Sequence, residues 1–155
     1  MRLLSALVVL SALLTGCAGQ GVDGTWVLVS RDLPDGSVQT PPDVIGAMTY
    51  ANGIRNFNVY WKDEQGNPVS LSSISEYTLT DTEYIETSLY YQATGMDDVE
   101  QYDLSRETGV ALVERYDGCL EFTLPLHDEP HVIFMGHRFT ATREGVFVDH
   151  WERID

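Results

Sequence analysis

The chain is 155 residues long and carries 24 acidic residues against 9 lysines and arginines, a formal net charge of −15. That length suits one domain and hardly two. A body this acidic is repelled by nucleic acid and by anionic membrane surfaces, so neither is expected as an electrostatic partner, and its charge favours solubility.

In chain order, Met1-Arg2 is followed by the apolar run Leu3 to Leu14 and then by Thr15-Gly16-Cys17. The run is too short to remain as a helix across ~30 Å of hydrocarbon, which takes about 20 residues. A cation, an apolar centre and small residues at the end are the parts of a secretory signal, expected here at residues 1–16. Leu14-Thr15-Gly16-Cys17 further resembles the lipobox of bacterial lipoproteins. The resemblance implies cleavage before Cys17, a diacylglyceryl thioether on its sulfur, and a palmitate-type acyl group on the new amino terminus. More than one acyl chain gives a stable anchor, at ~0.8 kcal/mol per buried CH₂. Ala18 follows, rather than the Asp linked to inner-membrane retention, which points to the outer membrane facing the periplasm. Residues 17–23 then form a short lipidated tether of small residues. With Cys17 acylated, Cys119 has no partner and is expected as a free, inert thiol in a strand.

From Gly24 onward no long helix is expected, and strand-like runs recur between turn signals. The first is Thr25–Ser30, closed by Pro34-Asp35-Gly36. Pro42–Gly46 is the one weak helical candidate, ahead of Met48-Thr49-Tyr50. After Asn52-Gly53 comes Phe57–Trp61, then a loop at Asp63–Asn67 and a run from Ser72 to Leu79. Tyr84–Tyr91 follows the turn Thr80-Asp81-Thr82, and the acidic stretch around Asp97, Asp98 and Glu100 is unclear. Val110–Tyr116 and Cys119–Leu124 are joined by Asp117-Gly118, a strong hairpin signal. Val132–Thr142 and Val146–Arg153 form the last pair. About eight antiparallel strands over residues 24–155 suit an all-β, up-and-down barrel, which leaves no exposed edge. A barrel of that size is either filled by side chains or holds one small ligand.

Three segments carry a family likeness. Gly24-Thr25-Trp26 resembles the Gly-x-Trp signature of lipocalins, and Glu76–Leu79 with Tyr84–Thr87 is similar to the central hairpin of small bacterial lipocalin-like domains. Asp149-His150-Trp151-Glu152-Arg153-Ile154 resembles their final strand. The likeness implies a closed barrel end where the first-strand Trp is covered by a late Arg. Trp26 and Arg153 are therefore expected to pack together in a structural role, a cation–π contact of ~0.5–2 kcal/mol. The C-terminal helix and the Thr-Asp-Tyr motif of larger lipocalins are missing, so no ligand class transfers.

Side chains alternate along a strand, which sets Tyr84, Glu86, Ser88 and Tyr90 on one face. Tyr84, Glu86 and Tyr90, with Tyr77, Arg55 and Asp149, are the candidate lining residues of a pocket. Arg55 shares a face with Phe57, Val59 and Trp61. If that face is internal, Arg55 needs an acidic partner, with Glu86 and Asp149 as candidates, or an anionic head group. The plainer expectation sets Arg55 at the strand mouth in solvent. His127-Asp128-Glu129-Pro130-His131 has metal-ligand types but no established spacing, so no metal is expected, and His137 is read as a hydrogen-bonded strand residue. There is neither a Gly-x-Ser-x-Gly elbow nor a Gly-rich phosphate loop.

The expectation is therefore a monomeric, membrane-anchored lipoprotein that binds a small hydrophobic or amphipathic molecule and needs no cofactor. A filled barrel acting in protein interaction is the second reading, and a small isomerase- or cyclase-like barrel enzyme the third.

Overall fold

Residues Val44, Gly46, Met48 and Tyr50 are buried while Ile45, Ala47 and Ala51 are exposed, a period of two that only an extended strand produces. The same alternation builds an all-β fold in the computed structural model, which describes residues 21–63, 65–95 and 101–154. These residues form one strongly curled antiparallel sheet, a half-barrel, with no helix among them. Residues 1–16, the acylation candidate Cys17, and the cluster Asp97, Asp98 and Glu100 lie outside the described residues.

The strands are β1 (Gly24–Asp32), β2 (Val38–Gln39), β3 (Val44–Ala51), β4 (Ile54–Lys62), β5 (Pro68–Leu79) and β6 (Glu83–Thr94). They continue with β7 (Gln101–Asp103), β8 (Thr108–Leu112), β9 (Glu114–Tyr116) and β10 (Cys119–Thr123). The last are β11 (His131–Met135), β12 (Arg138–Arg143) and β13 (Phe147–Ile154). Most of them pair with their neighbours in sequence, and β13 returns to lie beside β1. β7 and β8 both pair with β6, at its two ends, and β2 only extends β1. No backbone ladder joins β8 to β10. Gly109 of β8 instead closes on the segment after β10, where a Cβ would come within 2.7 Å of Pro125 Cβ.

The segment count exceeds the expected eight because turns break runs that look continuous in sequence. Gly136 and His137 form a turn inside the run Val132–Thr142. His137 is therefore exposed and not a strand residue, and its carbonyl accepts from the Arg153 amide at 2.9 Å. Val113 likewise separates β8 from β9. Thr40–Asp43 makes a turn leading straight into β3, so Pro42–Gly46 starts no helix. The hairpin at Asp117-Gly118 has both residues at positive φ (47° and 80°), as a type I′ turn requires, and Asn52-Gly53 does the same at 53° and 75°. Cys119 is free and half-buried on β10.

The two ends of the curled sheet differ. Where β1 begins and β13 ends, the interior is filled. Trp26 lies edge-on to Phe134 and Phe139, with centroids 5.4 and 5.1 Å away, and its indole N–H donates to the Val22 carbonyl at 2.9 Å. The Arg153 guanidinium lies 4.5 Å from the Trp26 ring, in the arrangement expected from the two chain ends. The opposite end, where β1 runs into β2 and β12 turns into β13, is open.

Two register shifts decide what faces inward. Along β1, the pairing with β13 skips Val29, so burial falls on Trp26 and Leu28 and then on Arg31 rather than Ser30. Along β6, the pairing with β5 skips Leu89, so Tyr84, Glu86 and Ser88 point in and then Tyr91 and Ala93 take the inner face. An extra residue in one strand inverts every side chain beyond it.

Candidate functional site

The open end leads into a cavity of about 720 Å³. Its deep wall is apolar, built from Met48, Phe57, Val59, Val132, Phe139 and Trp151, which are supplied by β3, β4, β11, β12 and β13. Loop residues Pro34, Asp63, His127, Asp128 and Gly145 form the rim. Three arginines line the cavity, each held by acid, and two of them, Arg31 and Arg55, are buried.

Arg31 pairs with Asp149 in a two-pronged contact, Nε to Oδ1 at 2.6 Å and Nη2 to Oδ2 at 2.8 Å. Its guanidinium is sandwiched between Trp61 (5.0 Å) and Phe147 (4.3 Å). Planar stacking with a forked ion pair is the geometry that guanidinium serves best. Burial holds the Asp149 carboxyl above its usual pKa despite the pull of Arg31.

Arg55 lies deeper, 1% exposed, and meets two carboxylates. Nη1 donates to Glu86 Oε1 at 2.8 Å, while Nη1 and Nη2 reach Glu129 Oε1 and Oε2 at 3.2 and 2.8 Å. The Tyr84 hydroxyl donates to the other Glu86 oxygen at 2.9 Å. Burial pushes the Glu86 carboxyl up, but Arg55 and hydrogen bonds from Ser75 and Tyr84 outweigh it, and its pKa is lowered. At Glu129 burial prevails over the pull of Arg55, with Glu86 adding repulsion, and the pKa is raised. Arg55 itself stays charged, since Glu129 and Glu86 overcome its burial. Both carboxylates share one cation, and Glu86 holds the stronger claim.

Glu129 belongs to the segment joining β10 to β11, which is tied down at several points. His127 stacks on Tyr91 with ring centroids 4.0 Å apart, and Asp128 pairs with Arg143. His127 and Asp128 both have φ near +53°, a costly conformation for non-glycine residues.

Of the residues expected to line a pocket, Arg55 and Asp149 do so. Arg55 is not solvated at the mouth as expected, because β4 carries it inward with Phe57 and Val59. Asp149 partners Arg31 instead of Arg55. Glu86 and Tyr84 stand behind Arg55 rather than in the cavity wall, with Tyr84 stacked on Phe122 at 4.4 Å. Tyr77 is at the filled end, where its hydroxyl meets Asp23. Tyr90 is turned away by the shift at Leu89 and contacts Tyr102, leaving Tyr91 in the wall. Among the described residues no three His, Cys, Asp or Glu side chains gather as a metal would require.

Sequence reasoning missed Arg31, Glu129 and Tyr91. Arg31 and Tyr91 lie just past unseen register shifts. Glu129 follows His127 and Asp128 and precedes Pro130, a stretch that reads as a solvated loop, so no local signal marks it as a partner of Arg55. No known family model, curated protein or solved structure matches this chain, so its functional reading rests on the open cavity and the two buried, acid-bound arginines in its wall.

Proposed function

We propose that this chain is a lipocalin-like lipoprotein of the bacterial envelope, anchored through Cys17, that carries a small hydrophobic or amphipathic molecule inside its up-and-down barrel. The observation that supports this reading most is the open cavity. At about 720 Å³, with an apolar deep wall and charged groups around it, it has the size of small-molecule sites, which run from roughly 300 to 1,000 Å³. Burial of a ligand's apolar surface, at ~25 cal/mol per Å², would drive binding, and the wall charges would orient it. The filled end carries the start of β1, so a tether from Cys17 would join the sheet at the end opposite the mouth.

Among the described residues every strand lies within residues 24–154, so the chain from residue 18 keeps all of them. That chain is expected to enhance the fluorescence of the neutral apolar dye N-phenyl-1-naphthylamine with saturable, one-to-one binding. No uptake, together with no retained small molecule in native mass spectrometry, overturns the carrier reading. For the anchor, full-length protein is expected to incorporate radioactive palmitate in a bacterial host, and Cys17→Ala to abolish the label. Labelling that persists in the variant overturns the lipid assignment.

A further inference from the structure

The cavity's inner cation has one fixed partner and one replaceable partner. Glu86 is 1% exposed on β6, with one oxygen on Arg55 and the other bonded by Tyr84. It does not line the cavity and suffices to neutralise Arg55. Glu129 arrives from the segment between β10 and β11 and faces the cavity, and both its oxygens lie on the Arg55 guanidinium. It is thus a carboxylate of the chain itself, seated where a cation opens onto an apolar chamber with Met48 and Phe57 beside it.

Resting on the carrier reading above, we propose that the ligand is an amphiphile with a carboxylate head, which takes the place of Glu129 on Arg55 while its apolar chain fills the cavity. Three observations converge. Glu129 already sets one carboxylate oxygen in a hydrogen bond from Nη1 at 3.2 Å and leaves the other in ionic contact with Nη2 at 2.8 Å without a hydrogen bond of its own, so this guanidinium faces a carboxylate that is not optimally seated. Glu129 sits on the connection between β10 and β11 and not in a strand, so its side chain can leave Arg55 without breaking sheet pairing. Its charged form is also disfavoured by burial and by Glu86, so moving Glu129 toward water returns hydration to a poorly placed anion. The exchange keeps the number of charges around Arg55 constant. An ammonium head would pair with carboxylates at the mouth, such as Asp35, Asp63 and Asp128, and would be repelled by Arg55 at the inner wall, while an uncharged head offers nothing in return for the displaced anion.

The test uses displacement of N-phenyl-1-naphthylamine from the chain starting at residue 18, at pH 7.5, by three compounds with the same tail: dodecanoate, dodecan-1-ol and dodecyltrimethylammonium. Dodecanoate is expected to bind at least about tenfold more tightly than the alcohol, or ~1.4 kcal/mol. Glu129→Gln removes the competing anion and should tighten dodecanoate several-fold while leaving the alcohol unchanged. The triple variant Arg55→Met/Glu86→Gln/Glu129→Gln should abolish the preference for the acid. If that variant does not fold, the single Glu129→Gln comparison decides. Equal binding of acid and alcohol, tightest binding of the ammonium, or a Glu129→Gln effect on both or neither overturns the head-group assignment, and so does a preference that survives in a folded triple variant. If the dye is bound and the alcohol displaces it, the carrier reading stands whatever the acid does. If the dye is not bound at all, both fall.

Discussion

Arg55→Met is expected to destabilise the fold by about 3–5 kcal/mol at neutral pH, because it leaves Glu86 and Glu129 buried without their shared cation. Methionine is shorter but similar in volume, so the loss is of charge and hydrogen bonds more than of volume. In the native protein Glu86 has a lowered pKa, so it contributes stability above its ordinary value of 4.5 that is lost as pH falls through the folded value. Glu129 has a raised pKa and the opposite sign: its contribution is fully present below 4.5 and is lost as pH rises through its folded value. Without Arg55 both groups take the second behaviour. The stability gap between variant and native protein should therefore shrink from pH 7.5 to pH 5, as the orphaned carboxylates take up protons. Urea denaturation of both proteins at the two pH values measures this. A gap below 1 kcal/mol, or one that does not shrink toward pH 5, contradicts the ion cluster as described. Replacing all three charges should cost less than replacing Arg55 alone, since residues in one network are not additive.

Trp26→Ala is expected to cost about 3–5 kcal/mol, the range for removing a large buried aromatic. Trp26 is wholly buried, and its ring meets Phe134 and Phe139 edge-on. Those two rings stack on each other at 4.6 Å, and Phe139 stacks in turn on Trp151 at 5.3 Å. Such a chain of rings cannot close over the missing indole without breaking its own contacts, so a cavity remains. The variant also leaves the Val22 carbonyl without its donor and Arg153 without its ring. Thermal and urea unfolding of Trp26→Ala, Trp26→Phe and Arg153→Ala should rank the losses in that order. Arg153→Ala should lie near 1 kcal/mol, the scale of a partly solvated cation–π contact. A loss below 1.5 kcal/mol for Trp26→Ala would show that this end of the sheet is not the packed centre of the fold.

The contrast between these two sites separates what local pattern can carry from what it cannot. Alternating apolar and polar residues, with turn pairs such as Asp117-Gly118, sufficed for an all-β antiparallel fold and most of its strands. The Trp26–Arg153 contact is expected only from the resemblance of the two chain ends to lipocalin strands, and the sheet supplies it by laying β13 beside β1. Glu86 could be named as a partner for Arg55 because both fall on inward positions of regular stretches. Beyond a register shift the same reasoning fails. Tyr90 and Tyr91, or Ser30 and Arg31, exchange faces when one residue is skipped, and no composition rule marks Val29 or Leu89 as that residue. The skipped position is chosen by how the paired strand curls and by which side chains fit the interior, a choice made between segments more than a hundred residues apart for Arg31 and Asp149. Strand identity is thus a local property here, written in periodicity, whereas the cavity and its charged wall exist only once tertiary packing has set which way each strand faces.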